Sequence, residues 1–520
     1  MTDDRKQQTY RSAFWLLLAA ATVFRLFIAG RFGLGVDEAH YVLYARHPAW
    51  GYFDHPPMVA FLVGLTNLLG TSAFYVRLGP ILCSAGSVIL VRLLALALYR
   101  DERVAFWSLA LLLLMPIHHL LAVALLPDDA LNLFWCGALV TAWLAMRDGK
   151  WSLWLLTGVL FGGALLSKYH AVLLPACLLC YVVFSPSQRH WLRRPHPYVA
   201  GLVGLLVFMP NIVWNAQHDW ISYAFQLAHG RRGGGAISLS KLAETFGGQM
   251  GVASPVIFGL LVAAFVAMAR ERFARDSDRF LFCTSFPVFL FFCGMGLTGK
   301  ILPHWPFIGW WTGSLAIVAV VMRKVEAGGG AAKRWRRWSA AGAVVGALCI
   351  LLMYAAILTP VIEPVYNWAY RTSLRLHAWN PAIREMDPFD SSVDITNDLY
   401  GWNLIAAKVQ EMRAGMPNPI RTFVFCHRSY ENGLLAVNLD PKTVSTTLNR
   451  KPTQYLLWFH PPDYVGWDAL FVDDREVGPE AYAGLFESVD PVPVKMQVFR
   501  RGHVSHAVRI YRCFGFKGSI

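Results

Sequence analysis

Two acidic pairs and several isolated cations interrupt an otherwise apolar chain of 520 residues. Asp37 and Glu38 open the stretch Val36-Asp37-Glu38-Ala39-His40-Tyr41, which runs on through Trp50 and Tyr52 to His55-Pro56-Pro57. Asp128 and Asp129 follow Pro127, and Lys168 stands directly before Tyr169 and His170. Arg231 and Arg232 precede three glycines, and Lys300 and His304 share a turn rich in Pro and Trp. Acids from two loops and cations from three suit chemistry in which an anionic leaving group departs at a membrane surface.

Transfer of a sugar from a lipid phosphate needs a carboxylate to take the proton of the acceptor hydroxyl. It also needs positive charge to stabilise the departing phosphate. Phosphate is already a stable anion, so a general acid is dispensable. One carboxylate base opposite a set of cations would invert the anomeric centre, as in inverting glycosidases. Asp37 is the expected base, and Asp129 the second acid that orients the acceptor or shares its proton. Lys168, Arg231, Arg232, Lys300, His55 and His304 are the expected phosphate contacts, and Tyr41, Trp50 and Tyr52 the sugar-pocket lining. Asp37, Glu38 and Asp129 together are also a conceivable set of ligands for a divalent cation, so metal dependence stays open and no cofactor is assigned.

Each group has a structural alternative. Acids at a helix start act as caps or complement the helix dipole, which applies to Asp37 with Glu38 and to Asp128 with Asp129 after Pro127. Lys168 could snorkel to the interface instead of holding phosphate. Arg231-Arg232 fits either a solvated loop or one whose glycines admit an anion to the backbone. Lys300 and His304 fit an interfacial anchor.

The elements that must position these residues are long apolar helices. The chain is 56% hydrophobic and 15% charged, against about 25% charged in an average soluble domain, and its mean hydropathy is +0.41. Apolar stretches recur near 12–30, 79–99, 104–124, 130–146, 151–167, 169–185, 198–215, 248–269, 280–297, 305–322 and 338–359. They predict a polytopic α-helical membrane protein with about eleven spans and a retained first helix. The net charge of +14 is spread between these stretches, so it orients the chain and does not mark a nucleic-acid surface. Basic residues concentrate in alternate loops, from Arg5, Lys6 and Arg11 to Lys333, Arg334, Arg336 and Arg337. The positive-inside rule places that set in the cytoplasm, and the acids and the C-terminal part on the opposite side.

Residues 1–359 are thus expected to form the transmembrane domain, and 360–520 a periplasmic α/β domain. Within the latter, residues 397–412 have helical spacing with Leu404, Ile405, Val409 and Met412 on one side. Strands are expected at 422–426, 455–459, 470–472, 494–499 and 507–511. Cys426 and Cys513 could pair as a disulfide outside the cytoplasm. The CxxC spacing of Cys177 and Cys180 lies inside an apolar helix and reads as packing.

Asp37-Glu38-x-x-Tyr41 followed by His55-Pro56-Pro57 resembles the bacterial aminoarabinose transferase and protein O-mannosyltransferase group of the GT-C superfamily. Asp128-Asp129, Lys168 and Lys300 with Pro303 follow in the same order, so the resemblance covers roughly residues 12–325. It implies a GT-C fold, a polyprenyl-phosphate-linked sugar donor, and a lipid, glycan or protein acceptor. It puts Asp37 at the base position, Asp129 or Asp128 at the second acid, and Lys168, His55 and Lys300 at the lipid phosphate. The aminoarabinose enzymes have Lys-Pro-Pro where this chain has His55-Pro56-Pro57, which argues away from lipid A modification. The rival classes are a transporter or lipid flippase, which calls for mid-membrane charges and repeat symmetry, and a sensor, which calls for an output module.

Overall fold

A computed structural model describes residues 3–230, 237–379, 385–449 and 451–520. Its contacts divide the chain into two compact units. One comprises Met1–Ala29 and Pro48–Leu351, the other Gly30–His47 and Leu352–Ile520. The division therefore differs from a single cut at 359. The segment that carries Asp37 and Glu38 packs with the C-terminal part of the chain, although it lies near the N-terminus.

The first unit is helical. Among the described residues, seven helices are long and apolar enough to cross a membrane, and an eighth is obtained if Leu239–Ala253 and Pro255–Arg270 form one bent span. Met58–Asn67, Trp151–Ser167 and Tyr169–Phe184 are shorter apolar helices. Two expected spans are broken. The stretch 104–124 divides into Glu102–Leu112 and Pro116–Leu121, because Pro116 cannot continue the preceding ladder and instead starts a new helix. The stretch 248–269 bends by 107°, where Ser254 adopts a φ of 76° just before Pro255.

Small residues set the closest helix approach. A Cβ at Gly158 would lie 2.4 Å from the carbonyl oxygen of Ala200, and one at Gly162 would lie 2.7 Å from that of Gly204. The helices Trp151–Ser167 and His196–Gln217 can therefore touch backbone to backbone, which substitutes for a hydrophobic driving force in a lipid setting.

The second unit is built on a six-stranded sheet. Its strands are β1 (Thr422–Cys426), β2 (Ser445–Thr447), β3 (Asp468–Asp473), β4 (Phe486–Val489), β5 (Val494–Arg500) and β6 (His503–Phe516). The order is β2-β1-β3-β6-β4, with β5 also paired to β6. β1 pairs in parallel with β2 and β3, and β6 runs antiparallel to β3, β4 and β5.

The alternation along the strands separates two cores. Val424, Cys426, Leu470 and Val472 pack on one face with Ile405, Val409 and Leu434, whereas Phe423, Phe425, Phe471, Cys513 and Phe516 pack on the other. Cys426 and Cys513 are free thiols on opposite faces, with β3 between their strands, so the expected disulfide does not form. Residues 454–458 are helical instead of a strand, because Thr453 caps the Leu456 N–H and starts a turn. The helix expected from 397 begins at Trp402, after a 3-10 turn at Ile395–Leu399, and its Leu404 is exposed.

Candidate active site

The acidic stretch of the second unit forms the helix Val36–Arg46. Glu38, third in that helix, is buried and its Oε2 accepts the Gly35 N–H at 2.7 Å, so its carboxylate closes the helix start. Asp37 shares this first turn but is exposed, which leaves it accessible for chemistry. One side of the helix rests on the C-terminal fold. Ala39 belongs to the core beneath the sheet, and Leu43 packs with Ala436 and Tyr455. His40 joins Tyr455 Oη at 3.0 Å through Nδ1 and Tyr44 Oη at 2.8 Å through Nε2. Tyr41 is buried and meets Tyr44 edge to face. Arg46 donates to the carbonyls of Ala436 and Val437, both at 3.2 Å. Sequence reading passed over His40 and Tyr455, which lie 415 positions apart.

The first unit assembles a different constellation. Pro127 starts the helix Pro127–Asp148, and Asp129 Oδ2 accepts the Leu126 N–H at 2.8 Å. Asp129 thus caps the helix, and Asp128 beside it turns toward Lys168 and His304. Lys168, in extended backbone just beyond the helix Trp151–Ser167, places Nζ 2.6 Å from Asp128 Oδ2, with both side chains buried. His304 Nε2 lies 3.9 Å from the same oxygen. His55 interacts electrostatically with His304 and His170. The fold therefore gathers Asp128, Lys168, His304 and His55 from four separate segments.

Other expected residues have distinct settings. Trp50 is exposed, and its carbonyl accepts from Asn211 Nδ2 at 2.8 Å. Tyr52 is buried, and its hydroxyl accepts the Ala49 N–H at 3.1 Å, which fixes the turn that leads to His55. Lys300 is exposed. Arg231 and Arg232 lie outside the described residues. For a metal, no group of three or more His, Cys, Asp or Glu side chains stands together among the described residues. Asp37 and Glu38 belong to one unit and Asp129 to the other.

A further charge escaped the sequence reading. Arg25 in the first helix is almost fully buried, with Nη1 3.3 Å from Ser84 Oγ and Nη2 3.3 Å from His118 Nδ1. The signal was available, because a guanidinium within an apolar stretch is costly unless it has a task.

Known proteins share both the sequence pattern and the fold. Residues 54–214 match the family model described as dolichyl-phosphate-mannose-protein mannosyltransferase. The chain is 28% identical over 294 residues to the lipid A galacturonosyltransferase RgtD of Rhizobium johnstonii, covering 56% of this chain and 61% of that protein. It is 31% identical over 248 residues to the undecaprenyl phosphate-alpha-4-amino-4-deoxy-L-arabinose arabinosyl transferase of Pseudomonas paraeruginosa, covering 43% and 44%. The matched regions thus span less than two thirds of either relative. In structure, it superposes on ArnT from Cupriavidus metallidurans, solved with undecaprenyl phosphate. That match has a TM-score of 0.59 at 15% identity and covers 95% of this chain and 97% of the other. The chain thus shares with that solved structure the fold of a polytopic helical domain followed by a sheet-containing domain.

Proposed function

We propose that the protein is an inverting glycosyltransferase of the bacterial inner membrane. It moves one monosaccharide from a polyprenyl-phosphate donor to a hydroxyl of a cell-envelope acceptor on the periplasmic side. The observation that carries this reading is the buried Asp128–Lys168 pair with His304 and His55 beside it, within a fold shared by a protein that binds undecaprenyl phosphate. A buried lysine at the end of an apolar helix, with imidazoles beside it, suits a lipid phosphate. A phosphate that arrives there would compete with Asp128 for Lys168.

Asp37 acts as the base in this reading, being exposed on the first turn of its helix while Glu38 is occupied as a cap. Asp129, also a cap, orients the acceptor, and Tyr41, Trp50 and Tyr52 shape the sugar site. Lys300, Arg231 and Arg232 supply further phosphate contacts. Lipid A is the acceptor class of choice, because RgtD is named for that acceptor. That outweighs the inference drawn from His55 in place of Lys. The test is reconstitution of the full chain with undecaprenyl-phosphate sugars and lipid A. Transfer with inversion that is lost in Asp37→Asn supports the reading. Vectorial movement of the lipid without any glycosidic product would favour the flippase alternative.

A further inference from the structure

The helix Gly329–Leu358 touches the rest of the first unit through small residues. A Cβ at Gly346 would lie 2.4 Å from the Leu114 carbonyl oxygen, and one at Gly342 would lie 3.5 Å from Leu260 Cδ1. Toward its N-terminal end the contact opens into a groove of about 370 Å³ between this helix, the helix Glu102–Leu112 and the helix Ile308–Glu326. Its walls include Trp107, Leu111, Val321 and Met322, and its polar lining residues are Arg336 and Ser339. From Arg336 to Leu358 the helix rises about 33 Å, close to the roughly 30 Å of a hydrocarbon core. Arg336 therefore stands at the bilayer boundary and the groove runs inward from it.

The charges around this mouth divide into two groups. Arg323 is bound by Asp278 and Glu271, Lys324 by Glu271, and Arg103 by Asp101 and Glu326. Among the described residues, Lys333, Arg334, Arg336 and Arg337 have no carboxylate partner. Four positive charges within five residues of one helix are thus left unneutralised beside an apolar slot. We propose that the groove is a binding site for an anionic phospholipid of the bilayer. One acyl chain lies between Trp107 and Met322, and the phosphate sits on Arg336 with Lys333 and Arg337 around it. Apolar walls alone would accept any lipid. The uncompensated charge at the mouth selects the anionic one, as basic pockets between membrane helices do.

Native mass spectrometry of the full chain, purified free of lipid and titrated with phosphatidylglycerol or phosphatidylcholine of identical chains, tests this directly. One phosphatidylglycerol should be retained in preference to phosphatidylcholine, and Arg336→Gln should weaken its retention roughly fivefold. Lys150→Gln, at an exposed basic site elsewhere, should leave the preference intact. Ala343→Trp should reduce retention of both lipids by filling the slot. Equal retention of the two lipids, or an unchanged preference in Arg336→Gln, would overturn the proposal. So would undiminished binding in Ala343→Trp with a normal melting temperature.

Discussion

The Gly33 N–H donates to the Leu399 carbonyl oxygen at 2.9 Å, joining the loop before Asp37 to a turn that lies more than 360 positions later in the sequence. A Cβ at Gly33 would stand 2.6 Å from that same oxygen. Gly33→Val must push the loop or the turn away, and the helix Val36–Arg46 starts three residues on. Transfer should fall by about a hundredfold, the effect of displacing a catalytic group by about 1 Å. Initial rates in membranes normalised to protein amount would show this. A wild-type rate in Gly33→Val would mean that the contact does not position Asp37.

Asp37→Asn keeps the side chain's size and removes its basicity. Transfer should drop by about 10²- to 10⁴-fold, the usual contribution of general acid–base catalysis, with donor binding and melting temperature unchanged. Glu38→Ala should instead act on stability, since its oxygen caps Gly35. Loss of a helix-start contact costs about 0.5–2 kcal/mol. Parallel rate and melting measurements separate the two acids.

Lys168→Ala leaves the Asp128 carboxylate buried without its nearest cation, 2.6 Å away in the intact pair. Breaking a buried pair from one side costs about 3–5 kcal/mol. The double replacement Asp128→Asn with Lys168→Met should recover most of that stability while transfer stays lost. A double mutant that regains activity would rule out a phosphate-binding role for Lys168.

In the second unit, burial and the neighbouring Asp474 carboxylate push Glu431 up to about 8, against the pull of the Arg475 guanidinium whose Nε lies 3.2 Å from Glu431 Oε1. Asp474 is also raised, chiefly by burial, while Arg475 draws it back. The folded state therefore holds a proton that the unfolded chain releases above its ordinary value of about 4.3. Stability contributed by this proton is full at or below that value and is lost as pH climbs toward 8. Melting of this unit should fall between pH 5 and 8.5. Glu431→Gln, which keeps a side chain able to accept the Arg428 N–H, should flatten that slope. Thermal scans of the full chain across this range provide the check.

The sequence by itself determined the class of protein. Long apolar stretches, alternating loop charge and isolated ionic residues follow from the cost of polar groups in hydrocarbon, a local property of composition. Strands β1, β3, β5 and β6 were legible for a similar reason, since alternation and β-branched content are local. Residues 454–458 were not, because aromatic-rich pentapeptides fit either state and the Thr453 cap decided it. Arg25 was visible as an anomaly in its helix, but its partners Ser84 and His118 come from other segments.

Only the tertiary structure decided the company each acid keeps. Asp128 and Asp129 are neighbours in sequence, yet one faces Lys168 and the other caps its helix, because adjacent helical positions point about 100° apart. The segment Gly30–His47 that carries Asp37 and Glu38 belongs to one compact unit with Leu352–Ile520. Such pairings rest on contacts between segments hundreds of residues apart, which no spacing within a local stretch records. Residue type and place make Asp37 a candidate base. That the loop before its helix is tied to Leu399, and the helix itself packed on Ala436 and Tyr455, was decided by the tertiary structure alone.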